Sequence, residues 1–223
     1  KADRTMDGSG SKQGRRRPSA ALAALTQSAL IAALYLALTL VTSFMSFSFI
    51  QLRLAEALTA LPALFPSAVM GVFAGCLLSN LLNPAPLGLV DILGGSAVTL
   101  AAALLTWWLA RPWRRRLADE IGGEAVVSRV FSRKDLTARL VPLLPPVLLN
   151  AMVVGGYLPF LIRPGRVTAA LVAGSVGALF LSQSLVVFGI GLPLLSALKR
   201  TPWAQRVYLP EREREVRRSR GGK

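Results

Sequence analysis

Charge is nearly absent from long stretches of this chain, and that limits what it can fold into. Lys and Arg gather in a head containing Arg15, Arg16 and Arg17, a middle segment from Arg111 to Arg139, and a tail from Lys199 to Lys223. Between these lie only Arg53, Glu56 and Asp91, with Arg163 and Arg166 in a short connector. Apolar runs of about 20 residues separated by basic loops are the pattern of membrane-spanning helices, with the basic loops on the cytoplasmic side. Charges left inside such runs are costly, so the few that remain are the first candidates for function.

Composition agrees. Of the 223 residues 53% are hydrophobic and 17% charged, against about 25% charged in an ordinary soluble domain. The net charge of +15 flanks the apolar runs instead of forming a stripe on a folded domain. It therefore reads as topology and contact with anionic lipid, not as a nucleic-acid surface. A single cysteine, Cys76, excludes an internal disulfide, and the lack of any histidine excludes His-based catalysis and His-ligated metal. No Gly-rich loop ending in Lys-Ser/Thr is present, so the chain does not hydrolyse ATP through a P-loop. No cofactor is expected. Residues 1–18, without a signal-peptide cleavage pattern, are expected to be a disordered basic head; 19–198 form the membrane domain and 199–223 a basic tail.

The first span is expected at Ser19 to Val41, followed by a Ser- and Phe-rich interfacial loop from Thr42 to Leu52. Leu54 to Leu82 is apolar but broken by Pro62 and Pro66. Asn83-Pro84-Ala85-Pro86 is a turn signal, and a long span runs from Leu87 to Ala110. The mixed-charge segment Arg111 to Arg139 is long enough for an amphipathic surface helix. Spans at Leu140 to Ile162 and Val167 to Leu198 complete the chain.

Parity decides how often Leu54 to Leu82 crosses. A single crossing would put Arg111, Arg114, Arg115, Arg116, Arg129, Arg133, Lys134 and Arg139 outside. Two short passes folded at Pro62 to Pro66 keep these charges and the tail inside, leaving only Arg53, Arg163 and Arg166 outward. The expected fold is thus all-α, a polytopic membrane protein of six transmembrane segments with both termini cytoplasmic. Helices that short cannot span about 30 Å of hydrocarbon unaided. Non-helical backbone at that depth must be buried in protein or line a wet cavity, which predicts a pocket near their ends.

Arg53 and Glu56, three residues apart, can pair on one helix face. They either close a loop as an interfacial ion pair, or leave Glu56 to accept hydrogen bonds from a ligand with adjacent N–H donors, as on a guanine-like edge. Asn80 is a further ligand candidate, whereas Asn83 precedes a proline and reads as a turn residue. Asp91 is a lone acid that can cap its helix or meet a ligand. Asn150 and Gln183 are amides that can bond between helices or to a ligand. Ala29, Ala33 and Ala37 recur every four positions, a ridge that allows close helix approach, either within the chain or to another membrane protein.

Ile50-Gln51-Leu52-Arg53-Leu54-Ala55-Glu56-Ala57-Leu58, Gly75-Cys76-Leu77-Leu78-Ser79-Asn80-Leu81 and Leu89-Val90-Asp91-Ile92-Leu93-Gly94-Gly95-Ser96 resemble the queuosine-precursor transporter (QueT) family. Pro145-Pro146-Val147-Leu148-Leu149-Asn150-Ala151 and Gly189-Ile190-Gly191-Leu192-Pro193-Leu194 extend the likeness over most of residues 20–198. The resemblance implies a substrate-binding S-component of an energy-coupling factor (ECF) transporter in the cytoplasmic membrane of a prokaryote. It further implies a six-helix fold, an outward ligand pocket and a docking face on the first helix, which Ala29, Ala33 and Ala37 fit. The partners implied are a membrane coupling subunit and two cytoplasmic ATPases. Gln183 departs from the family pattern, standing where an acidic residue is usual, and a cationic aminomethyl-deazaguanine would favour an acid there.

The expected role is capture of a deazapurine such as queuine or its aminomethyl or nitrile precursor. Glu56 is expected to read the donor edge, and Arg53, Asn80, Asp91, Asn150 and Gln183 to satisfy other polar atoms. The alternatives are an S-component for another vitamin, or a proton-coupled secondary carrier using Glu56 or Asp91. An intramembrane protease is disfavoured: there is no histidine for a serine type, and Asp91 has no second aspartate to face.

Overall fold

The computed structural model describes residues 19–42, 53–83, 87–121 and 133–221. The basic head, the loop at 43–52, Pro84 to Pro86 and residues 122–132 of the middle segment lie outside the described residues. All elements among the described residues are helical. Four helices are long and apolar enough to cross a membrane: α1 (Ala20–Val41), α3 (Leu89–Leu109), α5 (Thr137–Ile162) and α6 (Ala169–Leu198). Two shorter apolar elements lie between α1 and α3: a 3-10 helix (Leu54–Ala63) and α2 (Ser67–Leu81). Two polar helices follow the apolar ones, α4 (Arg111–Ile121) after α3 and α7 (Pro202–Gly221) at the end of the chain.

The helix ends follow local chemistry. Ser19 accepts a hydrogen bond from Leu22 N at 3.3 Å, and Thr168 accepts one from Leu171 N at 3.2 Å, capping α1 and α6. Gly88, at φ 95°, occupies the N-cap of α3 in a conformation that other residues avoid. The Leu54–Leu82 run breaks at Leu64 to Pro66, and Pro62 sits inside the 3-10 helix.

That ten-residue 3-10 helix is the centre of the molecule. Such helices rarely exceed three or four residues. At ~2.0 Å per residue it reaches about 20 Å, where an α-helix of equal length reaches about 15 Å. The short pass read from the sequence as α-helix is therefore drawn out. Its weaker backbone bonds are sheltered: Ala55 to Ala63 are all buried, against α1, α2, α3 and α6. Close approach from α6 needs Gly191, where a Cβ would stand 3.0 Å from the Ala57 carbonyl oxygen and Ala60 Cβ.

α1 packs on α2 through Ile31, Ala32 and Tyr35, all buried. Gly71 and Gly75 make this possible: a Cβ at Gly75 would sit 2.6 Å from Tyr35 Cβ. Small residues meet here from both helices, Ser28 and Ala32 of α1 with Ser67, Gly71 and Gly75 of α2. Ala29, Ala33 and Ala37 of α1 turn away from the bundle and are exposed.

α5 and α6 each contain a π turn, Asn150–Val154 and Val187–Gly191. In each, a proline follows within five residues (Pro159, Pro193), so the backbone ladder already lacks a donor nearby.

The amphipathic helix expected in the middle segment is α4, but its apolar face is not left for lipid. Trp113, Leu117 and Ala118 are buried, and α4 packs against Ala204 and Tyr208 of α7. The basic tail is thus a helix docked on the bundle.

Candidate functional site

The two short elements begin and end at a cavity of about 470 Å³, within the usual range for small-molecule sites. All six polar residues singled out in the sequence line it. Arg53 and Glu56 come from the start of the 3-10 helix, Asn80 from the end of α2 and Asp91 from the first turn of α3. Asn150 comes from the π turn of α5, and Gln183 lies one turn before that of α6. Such π turns reposition side chains and recur at functional sites.

Glu56 is buried, and Tyr35 OH donates to its Oε1 at 2.7 Å. Arg53 Nε lies 3.9 Å from that same oxygen. The sequence pointed to Arg53 as the partner of Glu56, but the tyrosine makes the shorter contact. Nη2 of Arg53 also donates to Asn80 Oδ1 at 3.3 Å, so the guanidinium bridges the 3-10 helix and α2. Asn80 is fixed further by a long contact from Nδ2 to Cys76 Sγ, 3.7 Å. Thr99 of α3 donates to the same sulfur at 3.4 Å.

Asp91 does not cap α3, because Gly88 holds that position. Its Oδ1 instead accepts from Tyr157 OH of α5 at 2.9 Å. Around Gly95, a Cβ would meet Asn80 Nδ2 and Tyr157 OH at 3.4 Å and Asp91 Oδ1 at 3.8 Å. The glycine therefore leaves open the space on which these groups converge.

Three buried atoms of this set have no hydrogen-bond partner: Glu56 Oε2, Asn150 Nδ2 and Gln183 Oε1. Bonding between helices would have used the two amide atoms, and it does not. A buried polar atom left unpaired costs about 1–3 kcal/mol. Two acceptors and one donor therefore stand ready for a polar ligand. The sequence missed Tyr35 and Tyr157, since tyrosine in an apolar helix is ordinary; their spacing to the acids exists only in three dimensions. Among the described residues no cluster of acids and cysteine is arranged to hold a metal ion.

Long apolar helices around a polar cavity with unpartnered hydrogen-bonding atoms are the features of a membrane protein that binds a small polar ligand. A family model described as QueT transporter matches residues 25–200. The chain belongs to the QueT transporter family. No curated protein and no solved structure matches it.

Proposed function

We propose that the protein is the substrate-binding S-component of an energy-coupled importer, and that its cavity receives a queuosine precursor of the deazapurine class. One observation carries this reading: polar residues from five separate helical segments share a single cavity, and three of them keep a buried, unpartnered atom there. Glu56 Oε2 accepts from the paired N–H donors of a guanine-like edge, with Tyr35 and Arg53 holding the other oxygen. Gln183 Oε1 accepts a further donor, and Asn150 Nδ2 supplies one to a ring carbonyl or nitrogen. The distribution of basic residues supports six membrane segments with both termini in the cytoplasm, and membership of the transporter family supports the cytoplasmic membrane of a prokaryote as the setting. The exposed Ala29, Ala33 and Ala37 ridge faces a membrane coupling subunit, and two ATPase subunits supply the energy.

Mass spectrometry of small molecules that co-purify with the protein tests the substrate. It is followed by calorimetry with queuine and its aminomethyl and nitrile precursors. Glu56→Gln should weaken binding about tenfold or more; unchanged affinity would remove Glu56 from the site. Uptake by cells that lack the ATPase partners would replace the energy-coupled reading with a self-sufficient carrier.

A further inference from the structure

A second hollow lies outside the ligand cavity, between α5 and α6. It is a groove of about 400 Å³, lined by apolar and small side chains and by a single charged residue, Arg163. The two helices meet where a Cβ on Gly155 would stand 2.9 Å from Val176 Cα. Along the groove α6 offers Ala170, Gly174 and Ala178, which are too small to close the gap. A Cβ on Gly174 would meet nothing within 4 Å. The groove backs onto the ligand cavity, because Leu158, Ile162 and Leu179 line both. These three side chains separate a polar site from the bilayer. An empty space against them forfeits dispersion contacts on that side, and water does not settle in an apolar hollow.

Arg163 follows the last residue of α5 and is exposed. Its guanidinium makes no hydrogen bond or ion pair among the described residues. In the topology proposed above this end faces outward, against the tendency that gathers basic residues in the cytoplasm. A free guanidinium fork matches a phosphate group, and the groove behind it matches hydrocarbon. A protein helix, about 10 Å across, is too wide for a groove whose walls meet at Gly155 and Val176. We infer that the groove seats an acyl chain of an anionic phospholipid, with the lipid phosphate on Arg163. The chain closes the thin wall of the cavity from the membrane side. This goes beyond the proposed substrate role and uses that reading only for the leaflet that supplies the lipid.

Native mass spectrometry of the purified full chain in detergent tests the assignment, with phosphatidylglycerol and phosphatidylcholine of identical chains supplied in equal amounts. Phosphatidylglycerol should be retained about fivefold over phosphatidylcholine, the effect of one arginine near a headgroup. Arg163→Gln should bring the ratio to one, and Arg163→Lys should keep part of it. Arg166→Gln, at a residue that does not line the groove, should leave the ratio unchanged. Gly174→Leu fills the groove and should reduce retention of both lipids, with an unchanged thermal midpoint showing that the fold is intact. If the midpoint falls, Ala170→Leu repeats the test. Equal loss of preference in Arg163→Gln and Arg166→Gln would reveal a general basic surface and overturn the inference. Lipid retention that survives the filled groove overturns it too, as does displacement of the lipid by inorganic phosphate, which would leave an anion site without a chain seat. None of these readouts involves the cavity ligand, so the substrate reading stands or falls separately.

Discussion

Glu56 is the residue on which the site turns, and its state depends on a side chain from another helix. Tyr35 OH, 2.7 Å from Oε1, fixes the carboxylate so that Oε2 is the free acceptor. Hydrogen bonds to charged groups contribute roughly 1.5–3 kcal/mol. Tyr35→Phe should therefore lower both the thermal midpoint in detergent and the affinity for the proposed deazapurine ligand, the latter about tenfold. A lower midpoint with unchanged calorimetric affinity would reduce Tyr35 to a purely structural role. The acids and amides were legible in the sequence because a charge or amide in an apolar run is rare and expensive. Tyr35 and Tyr157 were not, because an aromatic ring with a polar tip is at home in any membrane helix. Only contact across 21 and 66 residues of sequence marks them.

At the scale of elements, α1 has one packed face and one exposed face. One packs on α2, with Ile31, Ala32 and Tyr35 against Gly71 and Gly75. The other exposes Ala29, Ala33 and Ala37. Gly75→Ala would drive a methyl to 2.6 Å from Tyr35 Cβ, an overpacking that costs about 1–3 kcal/mol. Because Tyr35 carries Glu56, ligand affinity should fall with the thermal midpoint. Ala33→Trp should change neither, yet prevent co-purification of the proposed coupling subunit. Should the complex assemble around Ala33→Trp, the ridge is not its docking face. The sequence told the spans apart by length, and placed the break near Pro62 to Pro66. It did not reveal that the first short pass is 3-10 or that α5 and α6 carry π turns. Apolar composition is the same whether each N–H bonds three, four or five residues back, and tertiary packing makes that choice.

Across the whole molecule, one arginine joins parts that the sequence kept separate. Arg114 looks like one of eight loop charges that set topology, but it is buried at 1% exposure. Its Nη1 donates to the Ala63 carbonyl at 3.0 Å and to the Trp107 carbonyl at 2.9 Å. These are carbonyls at the C-terminal ends of the 3-10 helix and α3, where no intrahelical donor remains. The guanidinium lies 3.5 Å from the Trp107 ring centroid. Its Nε and Nη2 make a bidentate pair with Glu211 of α7, at 2.8 and 3.2 Å. The tail helix is thereby tied to the end of the same 3-10 helix that carries Glu56 at its start. Arg114→Met removes a charge, two caps and the tail's anchor together, so a loss of about 3–5 kcal/mol is expected. Glu211→Gln leaves the arginine on both carbonyls and its ring, and should cost less, about 1–2 kcal/mol. Thermal unfolding in detergent, followed by tryptophan fluorescence, ranks the two variants. Ligand affinity should fall with Arg114→Met and hold with Glu211→Gln, because the first loosens the 3-10 helix while the second loosens only α7. Equal, small effects in both would mean that the tail pair alone matters and that the 3-10 helix keeps its geometry without the arginine.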